Sequence, residues 1–343
     1  MADDGAASIA AGGLVSRRET RVIMAKEVLS ISTQKIVVDY DFRNDTNENV
    51  TTEVAFPVPP YTNQSEELHA ASQAFQSFML WINENPVQFS AETKATLKNR
   101  DVTDLLTRHH INIATFGHQQ FEAVGEKAQY PEFSRLPASA KSSLIKAGLF
   151  DQQGFGLWTV RLNYHWQQTF PAHGTVHIRH IYKPVEGYSA IYPWELQTDQ
   201  PKATKSDTAG EHIPVEERLA SFCVDAPLLN VLRASMKREQ ESVDPADING
   251  TILNRSWIDF ILTTANTWQR PIEDFTLIIE RPKAERGERS LVSFCSPGQV
   301  EKLDTDHFQL HLTNFIPKAE LHIGFFGVPA RPAQRTVKAA SKK

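Results

Sequence analysis

Histidine is the first place to look for chemistry in this chain, which carries 12 of them. His165, His173, His177 and His180 fall close together, and imidazole suits zinc and copper. The two-residue period of a strand sends positions 177 and 180 to opposite faces, and His173 sits at a turn. These four are therefore expected to line a solvated sheet face, with His180 half-buried, and not to hold a metal. His109, His110 and His118 form a second group, but adjacent residues on a helix cannot both reach one site. Paired carboxylates could hydrolyse a glycan, yet no spacing singles out two among the 41 acidic residues. Trp158, Trp166, Trp194, Trp257 and Trp268 could stack on sugars, although Trp158 and Trp166 lie on the apolar face of a strand and are expected in the core. No GxSxG elbow, HExxH pair, phosphate loop, dinucleotide fingerprint or EF-hand loop occurs. Gly154-Phe155-Gly156 is too short to cradle phosphate. No catalytic residue, cofactor or metal ligand is assigned at this level.

Composition narrows the classes. The 343 residues have a formal net charge of −5, which argues against nucleic acid as the main partner. The one basic stretch is the tail, with Arg331, Arg335, Lys338, Lys342 and Lys343, expected to be solvated and disordered over 329–343. No apolar run is long enough to span a membrane as a helix. The start, MADDGAASIAAGG, has the look of a mature N-terminus with a Met added, so a cleaved signal upstream of Ala2 is expected. Cys223 and Cys295 are not spaced as a CxxC pair or a zinc set. Composition alone leaves them open between one disulfide and two buried thiols.

Strand patterns dominate the elements that would position these side chains. Residues 21–32 and 35–43 are apolar-rich, and Ile36, Val38, Tyr40 and Phe42 share a face. A turn-forming run at 44–49 and the alternation over 50–56 predict a hairpin, ended by Pro57, Pro59 and Pro60. Residues 91–100 are helix-friendly, Asp101 can cap a short helix to about 109, and Pro137 and Gly148 frame another. In 157–169, Trp158, Val160, Leu162, Tyr164 and Trp166 alternate with polar residues. Pairing this run with 175–182 as a hairpin would set Tyr164 opposite His180 and Gln167 opposite His177. A polar stretch follows at 199–213, then a strand-like run at 220–224 and a helix near 226–238 with Asp225 as its N-cap. Strands are expected over 256–264, 274–281, 290–295, 306–313 and 319–326.

Four blocks taken together carry a resemblance: YDFRNDTNENVTTEVAFPVPP (40–60), GLWTVRLNYHWQQTFPAHGTVHIRHIYKPVEG (156–187), the W-x-x-P-I-x-D-F block from Trp268 to Phe275, and SLVSFC (290–295). In this order they resemble the bacterial domain-of-unknown-function family numbered 4424, over about 8–327. The chain departs from the expected pattern at Thr267 and Arg270. The resemblance implies a secreted protein with its signal removed, located in the periplasm, and a Cys223–Cys295 disulfide. It brings no activity and no catalytic residues.

The expected fold is mainly β: two β-sandwich-like units with short helical insertions, one over 8–150 and one over 151–328. Two functions are carried forward. The first is a non-enzymatic periplasmic binding or envelope-interaction module, its partner an envelope protein or glycan. The second is a hydrolase acting on envelope glycan or peptide. A cleft with two carboxylates about 5–9 Å apart would favour the hydrolase, and a flat exposed aromatic patch would favour binding.

Overall fold

Three sheets organise the chain in a computed structural model that describes residues 3–10, 13–62, 77–113, 131–196, 219–242, 251–283 and 287–330. The first runs in the order β10 (Arg100–Asp101), β9 (Ser90–Leu97), β11 (Thr159–Phe170), β5 (Val50–Pro57), β1 (Gly5–Ala10), β2 (Gly13–Ser16), with β6 (Tyr61–Thr62) also on β11. The second runs β17 (Val300–Lys302), β18 (His307–Phe315), β15 (Ile272–Glu280), β3 (Val22–Ile31), β4 (Ile36–Asn44), β12 (Gly174–Tyr182), β7 (Met79–Ile82), β8 (Asn85–Pro86). The third holds β13 (Glu186–Ile191), β14 (Leu253–Phe260), β19 (Leu321–Pro329) and β16 (Glu288–Phe294). Among the described strands only β15 and β3 pair in parallel. The fold is mainly β, as the alternation predicts.

Helices are few. Among the described residues they are α1 (Thr103–Thr107), α2 (Pro131–Ser134), α3 (Ala138–Lys146) and α4 (Ala226–Ser242). Asp225 caps α4 by accepting from Leu228 N at 2.8 Å, and Gly148 ends α3's turn at φ +74°, a conformation that favours glycine. Residues 91–100, read as helix-friendly, instead fall mostly in strand β9 (Ser90–Leu97). This strand completes the open edge of β11 over seven residue pairs, and ladder pairing outweighs helix propensity. The 220–224 run is likewise not a strand: 219–221 form a helical turn and Cys223 follows in the left-handed region at φ +49°.

Both hairpins expected from the sequence are absent. β4 pairs with β3 and β12, whereas β5 pairs with β1 and β11. The 45–49 turn therefore carries the chain from one sheet to the other. The Pro171–His173 turn does the same between β11 and β12, so Tyr164 lies opposite Phe56 and Ala91, and His180 opposite Val38 and Leu80. Each strand has an apolar face, and the chain buries both by stacking sheets instead of pairing edges. Asn44 fixes the crossing: its Nδ2 donates to Glu48 O at 2.8 Å and to Phe170 O at 3.0 Å.

The core follows from that stacking. Trp158, Val160, Leu162, Tyr164 and Trp166 are all buried on one face of β11, while Arg161 is exposed and Asn163 and His165 are only partly covered. Most of the core lies between the first two sheets, with a second cluster under α1 and α3 and a third under α4. Strands from both sides of residue 150 share these sheets, β5 with β11 and β3 with β15, so the boundary expected at 150/151 runs through them. Cys223 and Cys295 are disulfide-bonded with Cα atoms 5.0 Å apart, tying the turn before α4 to the end of β16. The basic tail from Arg331 onward, the 199–213 stretch and His118 lie outside the described residues.

Candidate functional site

Polar chemistry concentrates in two places, one sealed and one open. The sealed one begins with β3. A bulge between Met24 and Lys26 interrupts its register with β4. Val22 and Met24 face the core before it, and Glu27, Leu29 and Ile31 after it. One extra residue thus turns a carboxylate inward where regular alternation would have sent Lys26. Asp3 and Asp4 join it from the segment entering β1. That segment is clamped by residues 261–268: Asp3 N donates to Ile261 O at 2.7 Å, Thr264 Oγ1 to Asp3 O at 2.7 Å, and Trp268 Nε1 to Asp4 O at 2.8 Å. Thr267 adds to this clamp by accepting from Ala6 N at 2.8 Å.

Asp3, Asp4, Glu27, Tyr40 and His180 are each 0% exposed, and Tyr182 and Trp166 close the cluster. Tyr40 Oη accepts from Asp4 N at 3.2 Å and donates to Asp3 Oδ1 at 3.4 Å, and His180 Nε2 stands 3.5 Å from Asp4 Oδ1. Both carboxyl oxygens of Asp4, the Tyr182 hydroxyl and Trp166 Nε1 have no hydrogen-bond partner among the described residues, whereas Glu27 meets Asp3 carboxyl to carboxyl, a bond that requires a proton on Asp3. Burial raises all three carboxyls, Glu27 to about 7, and the charge of Glu27 raises Asp3 and Asp4 further. Burial also pushes His180 down to about 3. Below about pH 7 the cluster is thus a set of neutral acids around a neutral imidazole. His180 is fully buried, not half-buried as its place in the strand pattern suggests, because the chain folds β11's aromatic face over it: the Trp166 ring meets it edge-on at 5.4 Å.

The other histidines do not converge. His165 pairs with Glu53 at 2.6 Å on the first sheet, and His177 with Asp41 at 3.0 Å and Asp39 at 3.3 Å on the second. His173 Nε2 lies 2.8 Å from Asn47 Oδ1. Among the described residues no group of three His, Cys, Asp or Glu could hold a metal ion.

The open place lies on the third sheet. β13 is its edge, and its outward positions lead to Tyr188, 51% exposed, and Tyr192, 43% exposed, with Trp194 48% exposed in the 3-10 turn Pro193–Leu196. The Tyr192 and Trp194 rings are parallel within 11°, their centroids 6.1 Å apart. Tyr188 Oη donates to Asn254 Oδ1 at 2.6 Å on the neighbouring strand. The mount beneath is rigid. Glu195 accepts from Tyr192 N at 3.1 Å and pairs at 3.6 Å with the buried Arg255, whose guanidinium donates to Ser189 Oγ at 2.6 and 3.0 Å. Arg233 of α4 donates to Leu196 O at 2.7 Å. Gly187 admits this packing, since a Cβ there would fall 2.0 Å from the Trp257 ring.

Of the five tryptophans weighed as a stacking surface, only Trp194 is strongly exposed. Trp158, Trp166 and Trp268 are buried and Trp257 is partly covered. The two tyrosines beside Trp194 were not singled out in the sequence. Their spacing of two before a Pro-Trp pair is a signal only once β13 is known to be an edge.

The chain is thus a mainly β protein with an acid cluster sealed between two sheets and an aromatic edge on a third. The chain belongs to the DUF4424 family, a domain of unknown function, which it matches over residues 2–323. No curated protein matches it. Among solved structures, a Legionella pneumophila protein proposed to bind nutrients is similar at 13% identity, over 94% of this chain and 70% of that one, with a TM-score of 0.40. A likeness that slight carries no argument about function.

Proposed function

We propose that the protein is an exported, non-enzymatic binding module that engages an envelope glycan through Tyr188, Tyr192 and Trp194. The observation that supports this reading is the pair of parallel, exposed rings of Tyr192 and Trp194 on a rigid turn. Solvated aromatic faces offer apolar area to the C–H face of a sugar ring, and the side chains of Asn254 and Tyr188 beside them supply hydrogen bonds to its hydroxyls. The Cys223–Cys295 bridge supports an oxidising compartment such as the periplasm. The hydrolase reading has less behind it, because the one cluster of carboxyls with raised affinity for protons, Asp3, Asp4 and Glu27, is sealed from substrate.

The test is binding of the protein to soluble envelope glycan fragments, followed by titration calorimetry. Trp194→Ala should weaken binding by about tenfold or more, as expected for loss of a stacking contact worth about 1.5 kcal/mol, and the glycan should be recovered uncleaved. Equal affinity in the variant, or no binding by the parent, overturns the reading.

A further inference from the structure

The loop between β2 and β3 reads Arg17-Arg18-Glu19-Thr20-Arg21. It borders a cavity of about 300 Å³ that also takes Thr51 and Thr52 of β5 into its wall. The loop is fixed at its backbone: Arg17 N donates to Ala6 O at 2.8 Å and Glu19 N to Thr267 O at 2.8 Å. Glu19 is buried and grips Arg21, accepting from its Nε at 2.9 Å, its Nη2 at 2.8 Å and its backbone N at 2.9 Å. Two of the five guanidinium donors of Arg21 are used there, leaving the others for a ligand. Among the described residues neither Arg17 nor Arg18 is paired with a carboxylate. Three arginines against Glu19, with Glu48 also acting on Arg21, leave the wall with an excess of positive charge; the Thr51 and Thr52 hydroxyls are engaged with Thr169 Oγ1 at 2.8 Å and Glu53 O at 3.5 Å.

We infer that this cavity is a binding site for a small molecule bearing an oxoanion, a phosphate or carboxylate group held by Arg17, Arg18 and Arg21. The planar guanidinium fork matches the oxygens of both groups, with charge-assisted bonds about twice as strong as neutral ones. The size of the cavity suits an anion with a short organic body. Glu19 acts as a positioning residue: it holds Arg21 in one orientation, so that the fork need not be ordered when the ligand arrives. The site is separate from the aromatic edge of the third sheet and does not depend on the glycan reading.

Calorimetric titration of the full chain with inorganic phosphate, pyrophosphate and citrate, each against chloride at matched ionic strength, tests the inference. At least one oxoanion should bind saturably, and the phosphate and citrate arms tell the two anion types apart. The double variant Arg17→Gln/Arg18→Gln should weaken that binding at least tenfold. Both side chains are exposed, so its unliganded melting temperature should stay that of the parent. Trp194→Ala should leave oxoanion binding intact, which separates failure here from failure of the glycan reading. No saturable binding over chloride, or unchanged affinity in the double variant, overturns the site.

Discussion

The molecule buries charge-bearing groups in two regions and treats them in opposite ways. Beneath the aromatic edge, Glu195 and Arg255 are 4% and 1% exposed and stand 3.6 Å apart, with Ser189 on the guanidinium. Between the two large sheets, Asp3, Asp4 and Glu27 are equally inaccessible, and no lysine or arginine joins them among the described residues. Burying a carboxylate without a counter-ion costs so much that the group takes up a proton instead. One region is therefore neutralised by a built-in cation. The other is neutralised by protons and is tied to the solvent's pH.

The largest expected effect comes from removing the built-in cation. Arg255→Met should lower stability by about 3–5 kcal/mol, because Glu195 is left buried and unpaired. The double variant with Glu195→Gln should recover much of that loss. Urea denaturation measures both. A single variant within about 1 kcal/mol of the parent would mean that the pair is not what balances Glu195, and the contrast between the regions would fail.

The proton-neutralised region should reveal itself in the pH dependence. Unfolded, its carboxyls titrate near pH 4; folded, Glu27 titrates at about 7 and Asp3 and Asp4 above their ordinary range. The folded protein keeps protons that the unfolded chain has lost. Its stabilisation is complete below about pH 4 and is lost as pH rises through 7, by roughly 1.4 kcal/mol per pH unit for each carboxyl still protonated. His180 runs the other way: depressed to about 3, it weakens the fold as pH falls below its unfolded value of about 6.5. His322, raised by its bond to Asp259, slopes with the carboxyls and is removed by His322→Asn. Between pH 6.5 and 8, urea midpoints in that background should fall, by the equivalent of about 1 kcal/mol from Glu27 and further from Asp3 and Asp4. Glu27→Gln should flatten the slope and raise stability at pH 8. A steep loss in Glu27→Gln at pH 8, with the slope unchanged, would mean that Glu27 is ionised and paired.

Much of the scaffold for these regions can be read from the chain, and the failures share one cause. Alternation tells which face of a strand is apolar, so the buried face of β11 from Trp158 to Trp166 is legible. It does not tell which strand lies alongside. That is why the crossings at 45–49 and 171–173 read as hairpins, and why His180 looked half-exposed until Trp166 and Phe56 closed over it. The acid cluster was illegible for a related reason. Asp3 and Asp4 sit in a polar, small-residue start, and Glu27 faces inward only because of a one-residue bulge that no local pattern announces. The Arg17–Arg21 run carries no pattern of its own and gains a cavity wall only where β5 brings Thr51 and Thr52 beside it.

The smallest expected effect distinguishes groups within the sealed cluster. Tyr40 and Tyr182 are both buried, at 0% and 1% exposure, and both rings pack in the same aromatic core. Their hydroxyls differ. Tyr40 Oη accepts from Asp4 N and donates to Asp3, whereas Tyr182 Oη has no partner among the described residues. Removing a paired hydroxyl costs about 1 kcal/mol, while removing an unpaired buried one recovers the desolvation it paid. At pH 6.5, Tyr40→Phe should therefore destabilise by about 1 kcal/mol, and Tyr182→Phe should be neutral or stabilising by up to about 1 kcal/mol. Both variants keep the ring, so packing is held constant and urea midpoints compare the hydroxyls alone. Equal losses in the two would show that the Tyr182 hydroxyl serves a cluster carboxyl after all. A protonated acid would then be donating to it, and the region would have a second internal bond by which it keeps its protons.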